Sequence, residues 1–296
     1  MQRMTLGTRG SKLAIAQTEM VRARLVETGV AAEIIEHASL GDRSLGKPLY
    51  EMKGVGVFVR ELNDKIISGE IDAAVHSAKD IPSRIDESLE ISAVLERGPF
   101  RDVLVAKQPL EDIESGSVIG TSSIRRIKEL GVVRPDIRTS NIRGNIQTRL
   151  SRYYEGRFDG IVLAEAALER LSVNDGHYVL DESSFVPAPN QGIIAVISRR
   201  GSRASEQLKI VDHAITRKNM EIERRIIEEL DLGCSTPVGI LSRTEGNRHR
   251  VTARFFSIGG NEFTDFVEDV SGKEDLDDLI IRMRREIPPD YGYGLR

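Results

Sequence analysis

The sequence has one cysteine, no tryptophan and no long apolar run. A single cysteine excludes an intramolecular disulfide and a zinc site built only from cysteines. No segment approaches the roughly 18 apolar residues of a transmembrane helix. The opening MQRMTLGTRGSK also lacks the apolar core of a signal peptide. These absences predict a soluble, cytoplasmic protein.

Motifs for metals and nucleotides are missing as well. The five histidines are scattered, and no pair has the spacing of metal ligands on a helix. Gly54 and Gly56 follow a long polar loop instead of a strand, unlike a dinucleotide fingerprint, and there is no P-loop lysine motif. We therefore predict no metal, and we interpret His76, inside a predicted strand, as a packed core residue.

Positive charge is concentrated in one segment of a mildly acidic chain. The net charge is −4, yet residues 120–157 hold eight arginines and one lysine against three acids, 9 − 3 = +6. This local excess indicates an anion site rather than a nucleic-acid surface, which needs a broader basic footprint. Predicted helix starts after residues 121–123 and 143–145 would add free backbone N–H groups to the arginine forks. A solvated basic face is the alternative.

Strand and helix patterns alternate along most of the chain and predict an α/β fold with parallel sheets covered on both faces. The predicted strands are 4–8, 32–38, 71–76, 91–95, 103–107, 117–120, 137–140, 160–164, 193–197, 238–241, 251–256 and 262–267. A first helix ends near residue 27, and further helical segments are 57–68, 145–154, 165–171, 202–230 and 275–285.

Two apparent crossings, at residues 97–99 and 187–192, suggest that the chain leaves a first lobe and later returns to it. We predict three domains. Domain 1 comprises residues 1–97 and 188–212, domain 2 comprises 98–187, and domain 3 is a small α+β domain at 213–296.

Candidate functional residues follow from the rule that open α/β sheets bind ligands at the C-terminal ends of strands. Arg9, Ser11, Lys79, Asp80 and the 120–126 loop could line one cleft. Ser11 could equally be an ordinary helix cap, and Lys79 with Asp80 could be a surface ion pair. A carboxylate among arginines would stay ionised and could stabilise a cationic intermediate.

Cys234 stands in a predicted loop, GCSTP. Most lone cysteines are small buried hydrophobes. A loop cysteine near positive charge can instead act as a nucleophile. Spacing alone leaves both interpretations open.

Seven motifs, taken in order, resemble the hydroxymethylbilane synthase (porphobilinogen deaminase) family over nearly the whole chain. They are TRGSKLAIAQ (8–17), FVRELNDKI (58–66), DAAVHSAKDIP (72–82), GTSSIRR (120–126), IRGNIQTRL (142–150), DGIVLAEAALERL (159–171) and LGCSTPVG (232–239). The resemblance implies two lobes like type II periplasmic binding proteins plus a third domain. It also implies a transferase of tetrapyrrole and heme biosynthesis. We expect a monomer without nucleic-acid or membrane partners.

The implied reaction condenses four porphobilinogens head to tail, with loss of ammonia, onto a dipyrromethane cofactor, before water releases linear hydroxymethylbilane. The resemblance implies that Cys234 holds this cofactor through a thioether and that Asp80 is the catalytic carboxylate. The implied substrate- and cofactor-binding residues are Arg9, Ser11, Lys79, Thr121, Ser122, Ser123, Arg125, Arg126, Arg143, Gly144, Asn145, Arg149 and Arg170.

The chain departs from the family pattern at three positions. Val55 replaces a usual loop lysine, with Lys53 nearby, Asn190 replaces a glycine, and Ile197 replaces a frequent acid. A non-catalytic protein that clamps an organic anion is the main alternative function, but it leaves Cys234 and Asp80 without a role.

Overall fold

A computed structural model of the chain describes residues 3–37, 57–173, 176–233 and 236–294. It divides into two compact units, Met1–Gly98 with Gly192–Lys218, and Pro99–Gln191 with Asn219–Arg296. The second unit therefore contains most of predicted domains 2 and 3, and the division into three domains remains a prediction. In the described ranges, no helix is both long enough and apolar enough to span a membrane.

The strands lie close to the predicted apolar runs. In chain order they are β1 Met4–Arg9, β2 Ala32–His37, β3 Ala73–Ser77, β4 Leu89–Val94, β5 Asp102–Ala106, β6 Val118–Gly120, β7 Arg138–Ser140, β8 Gly160–Ala164, β9 Tyr178–Val179, β10 Ile194–Arg199, β11 Val238–Glu245, β12 Arg248–Phe256 and β13 Phe263–Val270.

The α-helices also follow the predicted pattern, and the 57–68 prediction is confirmed at both ends. They are α1 Lys12–Glu27, α2 Val57–Ser68, α3 Ile124–Val133, α4 Ile146–Tyr154, α5 Glu165–Arg170, α6 Arg203–Leu208, α7 Ala214–Glu229 and α8 Lys273–Glu286.

Both large sheets are mixed, so the prediction of purely parallel sheets is wrong. The first unit has the order β2-β1-β3-β10-β4, and β10 runs antiparallel to both of its neighbours. The second unit has the order β7-β6-β8-β5-β9, and β5 runs antiparallel to β8. Two strands of one sheet that are joined through a helix run parallel to each other. Strands β5 and β10 enter their sheets from the other unit, so this constraint does not apply to them.

The C-terminal region is an antiparallel meander, β11-β12-β13, with helices on one face. Ile226 of α7, Phe255 of β12 and Met283 of α8 belong to its buried core. The apolar face of the three-stranded sheet must be covered, and the helices of this region cover it. The result is an α+β arrangement.

Two departures from the family pattern have a local structural explanation. Asn190 has a φ of 62°, a left-handed conformation that asparagine adopts more readily than other non-glycine residues. Ile197 is fully buried in β10, where an apolar side chain is favourable. Val55 and Lys53 lie outside the described residues.

Candidate active site

The predicted anion-binding segments of the second unit lie at one edge of its sheet. Strand β6 is parallel to both β7 and β8, so their C-terminal ends lie at the same edge. The 121–126 segment follows β6, the 141–149 segment follows β7, and α5 with Arg170 follows β8. The structure therefore brings these three sequence motifs together.

Hydroxyl groups connect the first two of these segments. Ser122 Oγ donates to the carbonyl oxygen of Ile142 at 2.9 Å and accepts from the Ile142 N–H at 3.0 Å. Thr121 Oγ1 accepts from the Ser123 N–H at 3.2 Å, within the same turn. Ser123 occupies the N-cap position of α3, but its side chain makes no capping hydrogen bond. Thr121 and Ser122 thus shape the site, whereas the Ser123 hydroxyl does not cap its helix.

The turn before α4 has a tightly specified backbone. Asn145 caps the helix, because its Oδ1 accepts from the Thr148 N–H at 2.9 Å. Gly144 has a φ of 105°, and a Cβ there would lie 2.8 Å from Thr148 Cβ. Arg149 Nε donates to the Gly144 carbonyl oxygen at 2.9 Å. Glycine is needed at 144, and the backbone there is held by the helix that follows.

Three arginines around this turn lack a counter-charge among the described residues. Arg143, Arg149 and Arg152 form no ion pair with any other residue in the described ranges. Burial, followed by the positive charges of Arg126 and Arg152, lowers the pKa of Arg149. Burial also lowers the pKa of Arg170 to about 10, although Glu169 acts in the opposite direction. Desolvated cations of this kind favour a bound anion.

The adjacent Arg125 and Arg126 have very different surroundings. Their side chains are only 4% and 8% exposed, and both contact the fully buried Asp102. Arg125 Nη2 donates to Asp102 Oδ2 at 2.7 Å, and Arg126 Nη2 donates to Asp102 Oδ1 at 2.6 Å. Arg125 also contacts Glu129 at 2.7 Å. Gln191 completes the network, with Nε2 donating to Asp102 Oδ1 at 2.8 Å.

The two acids of this network respond differently to burial. Burial tends to raise the pKa of Asp102, but Arg125 and Arg126 lower it overall. Burial raises the pKa of Glu129 to about 8, and the opposing effect of Arg125 is partly cancelled by the negative charge of Asp102. The surroundings therefore favour ionisation of Asp102 and disfavour ionisation of Glu129.

Sequence reasoning missed Asp102, Glu129 and Gln191. Two signals were available for the acids. Asp102 begins a strand whose five residues are all buried, and a charged residue there requires a partner. Glu129 is four residues after Arg125 on α3, which is the spacing of helical ion pairs. No local pattern points to Gln191, because it is 89 residues from Asp102.

Site residues of the first unit also follow parallel strands. Arg9 ends β1, and Ser11 caps α1 by accepting from the Ala14 N–H at 3.3 Å. Lys79 and Asp80 lie in a short 3-10 turn directly after the central strand β3. The carboxylate of Asp80 is exposed and forms no ion pair with another described residue, so the surface-pair alternative is not observed.

His76 is a core residue, as predicted. It is 6% exposed within β3, and burial followed by the charge of Arg9 lowers its pKa to about 4. Its imidazole is consequently neutral near pH 7.

Cys234 lies outside the described residues, together with Ser235. On either side of them, the Gly233 N–H donates to Thr236 Oγ1 at 3.0 Å. A Cβ on Gly239 would lie 2.4 Å from the carbonyl oxygen of Val186, so only glycine fits there. The adjacent Ile240 N–H donates to the Pro187 carbonyl oxygen at 2.9 Å. Strand β11, which follows the cysteine segment, is thereby anchored to the rest of the second unit.

A cavity of about 710 Å³ in the second unit is lined by none of the predicted ligand residues. Arg101 and Arg243 on its wall are already paired with Glu165 and Glu182. Both arginines of the cavity are therefore compensated, and the site is better identified by Arg143 and Arg149, which form no ion pair with described residues, than by cavity volume.

Comparison with known proteins identifies the family. The sequence profile of "Porphobilinogen deaminase, dipyromethane cofactor binding domain" matches residues 4–207. The chain is 47% identical to a probable porphobilinogen deaminase of Thermoplasma volcanium, covering 98% of both chains. It is 49% identical to the corresponding Picrophilus torridus protein, covering 97% of this chain and 99% of that one.

Among solved structures, the chain is similar to the methionine-binding protein MetQ, at 12% identity and a TM-score of 0.43, over 71% of this chain and 88% of that one. The assignment rests on the sequence relatives, whose similarity extends over nearly the full chain. On that basis, the protein belongs to the porphobilinogen deaminase family.

Proposed function

We infer that the chain is a hydroxymethylbilane synthase, a transferase that condenses four porphobilinogens and releases linear hydroxymethylbilane. The full-length relationship to porphobilinogen deaminases carries this inference. In each condensation, the C–N bond of an aminomethyl group breaks and ammonia leaves. A C–C bond then forms to the preceding pyrrole, whose ring carbon loses a proton. The reaction belongs to tetrapyrrole biosynthesis, and we propose that the enzyme is a cytoplasmic monomer.

The arginines would bind the carboxylates of the pyrroles. Each pyrrole carries an acetate and a propionate, so a growing chain accumulates negative charge. Arg143 and Arg149 have no anion partner in the described ranges, and Arg149 has a pKa lowered by burial and by neighbouring cations. Both features fit a bound carboxylate, because a planar guanidinium can form two parallel hydrogen bonds to it. Arg9 and Arg170 are proposed to bind carboxylates in the same way, and Ser11, Lys79 and Ser123 are proposed to donate single hydrogen bonds from a hydroxyl or ammonium group.

The donor set also fits a dipyrromethane group, which would present four carboxylates to these cations. When bound, the group supplies the pyrrole carbon to which the first substrate is joined. We propose that Cys234 holds it through a thioether. The proposal is supported by the family profile, which names a dipyrromethane cofactor domain, and by the single cysteine of the chain.

Asp80 is proposed as the catalytic carboxylate. Loss of ammonia leaves a cationic azafulvene, and a nearby carboxylate stabilises that positive charge as it develops. The same carboxylate can accept a hydrogen bond from a pyrrole N–H. Its exposure and its lack of an ion pair with described residues leave both oxygens available for this role.

Arg125 and Arg126 are proposed to contribute in different ways. Their Nη atoms are largely engaged by Asp102, Glu129 and the carbonyl oxygens of Val186 and Val162. A guanidinium has five N–H donors, so Arg126, which forms two hydrogen bonds to Val162 and Asp102, retains donors for a substrate carboxylate. We propose that Arg126 borders the binding site, while the contribution of Arg125 is made chiefly through the network.

Intact-mass measurement tests the function and the attachment together. Protein purified after expression with porphobilinogen available should carry two pyrrole units, and Cys234→Ser should carry none. Asp80→Asn should retain both units but lose about 100-fold or more in turnover, because the shape persists without the charge. An unmodified wild-type mass would contradict attachment at Cys234. Wild-type protein that releases no ammonia from porphobilinogen would overturn the proposed activity.

A further inference from the structure

Arg152 contacts the turn that carries the proposed ligand Arg143. It lies on α4, three residues after Arg149, and residues at this spacing share one face of a helix. Arg152 Nη1 donates to the carbonyl oxygen of Arg143 at 3.1 Å. Arg149 Nε donates to the next carbonyl oxygen, that of Gly144, at 2.9 Å. Two arginines on one helix face therefore hold two consecutive backbone carbonyls.

These contacts determine where the side chain of Arg143 begins. The turn already contains a left-handed Gly144, with a φ of 105°, and the Asn145 cap. With both carbonyl oxygens bonded to α4, the peptide units at 143 and 144 cannot rotate without breaking a charge-assisted hydrogen bond. Arg143 itself is exposed, so the contact orders its backbone and leaves its guanidinium available.

The charge of Arg152 is also unbalanced among the described residues. Arg152 forms no ion pair with another residue of the described ranges, and its positive charge contributes to the lowered pKa of Arg149. Arg157, a few residues later, is an ordinary surface arginine by comparison. Its side chain is 64% exposed and pairs with Glu155 at 2.8 Å. Ordinary solvent exposure explains Arg157, but it does not explain why Arg152 donates to the turn that carries Arg143.

We propose that Arg152 is a positioning residue of the carboxylate site, which orders the turn bearing Arg143 and supplies a third positive charge beside Arg149. This role rests on the proposed function, because the carboxylates are those of porphobilinogen and of the pyrrole chain built from it. Arg152 need not touch the substrate, since it acts through Arg143 and Arg149.

The test compares Arg152→Gln, Arg152→Lys and the control Arg157→Gln, all in the full chain. Arg152→Gln removes the charge and weakens the contact, so the KM for porphobilinogen should rise about tenfold while kcat changes little. Arg152→Lys should recover much of this loss, because it restores the charge without the planar fork. Arg157→Gln makes the same charge change away from the turn and should keep the wild-type KM.

A second readout does not depend on turnover. Inorganic pyrophosphate is an anion without a pyrrole, and it should raise the melting temperature of the wild-type protein. About tenfold more of it should be needed for the same rise in Arg152→Gln. The melting temperatures without pyrophosphate should be similar for all variants, because the carbonyl oxygen of Arg143 that Arg152 contacts is exposed and can bond to water instead.

The outcomes separate this inference from the proposed function. A wild-type protein that responds to pyrophosphate but does not consume porphobilinogen would overturn the proposed function. The pyrophosphate response of the variants would still test the role of Arg152. An Arg152→Gln protein with wild-type KM and wild-type pyrophosphate response would overturn the inference. Equal losses in Arg157→Gln would also overturn it, since net charge would then suffice. Equal losses in Arg152→Lys and Arg152→Gln would contradict its charge component.

Discussion

Two sets of arginines in the second unit show how differently one residue type can be used. Arg125 and Arg126 are buried against Asp102, with Glu129 beside them. Arg149 and Arg152 donate to backbone carbonyl oxygens and form no ion pair in the described ranges. Both sets follow neighbouring parallel strands and begin from similar short polar turns.

The difference lies in where the compensating charge comes from. The first set carries its own acid, so removing that acid should damage the fold. The second set retains a desolvated positive charge, which a ligand can compensate. Arg126 links the two sets, because it pairs with Asp102 and its charge lowers the pKa of Arg149. Stability and ligand binding should consequently respond to different substitutions within the same edge of one sheet.

Asp102→Asn should produce the largest effect on stability. The variant keeps the side-chain shape but leaves two guanidinium groups without their buried counter-charge. The amide N–H group of the substituted side chain would also lie against N–H donors of Arg125, Arg126 or Gln191, which need an acceptor there. Removal of one partner from a buried ion pair typically costs about 3–5 kcal/mol in the free energy of unfolding. Urea denaturation of the purified variant measures this loss.

Asp136→Asn is the matched control for that substitution. Asp136 pairs with Arg134 on the surface, where the Arg134 hydrogen bond lowers the pKa of Asp136 to about 2. Solvent can replace that partner, so the control should lower the urea midpoint much less than Asp102→Asn. If both variants unfold at the same urea concentration, the buried network does not have the proposed role in the fold.

Sequence patterns predicted most elements because burial of apolar residues dictates them locally. Strand β8 and helix α2 match their predicted bounds, 160–164 and 57–68. The direction of β5 and β10 could not be predicted from alternation, because it depends on where the chain enters each sheet. The site also depends on contacts between residues that are distant in sequence. The arginine motifs were visible, but their division into two sets depends on Asp102, which is far from them in sequence and adjacent in space.

Arg149→Gln should show the opposite behaviour from Asp102→Asn. The KM for porphobilinogen should rise about 10- to 100-fold, which corresponds to the loss of a charge-assisted carboxylate contact. The free energy of unfolding should be unchanged or slightly higher, because a desolvated cation without an ion pair in the described ranges has been removed. Steady-state kinetics and urea denaturation on the same sample give both quantities. A large loss of stability with an unchanged KM would place Arg149 in the structural set.

The prediction that most finely separates the two acids of the buried network is the pH dependence expected for Glu129→Gln. Burial raises the pKa of Glu129 to about 8 from an ordinary value of 4.5, so the folded protein retains a proton that the unfolded chain releases. A raised folded-state pKa gives stability that is complete below pH 4.5 and is lost as the pH rises toward 8. The wild-type protein should therefore lose on the order of 1 kcal/mol of unfolding free energy per pH unit across this window.

Glutamine does not titrate, and its amide oxygen can still accept the hydrogen bond that Arg125 Nη1 donates to Glu129 at 2.7 Å. Urea denaturation at pH 5, 6, 7 and 8 should consequently give a flatter profile for Glu129→Gln than for the wild type. Glu155→Gln, at an exposed acid paired with Arg157, should keep the wild-type slope. Parallel profiles for wild type and Glu129→Gln would mean that Glu129 is ionised alongside Asp102. The buried arginines would then be fully compensated by their own acids, which would sharpen their contrast with Arg149 and Arg152.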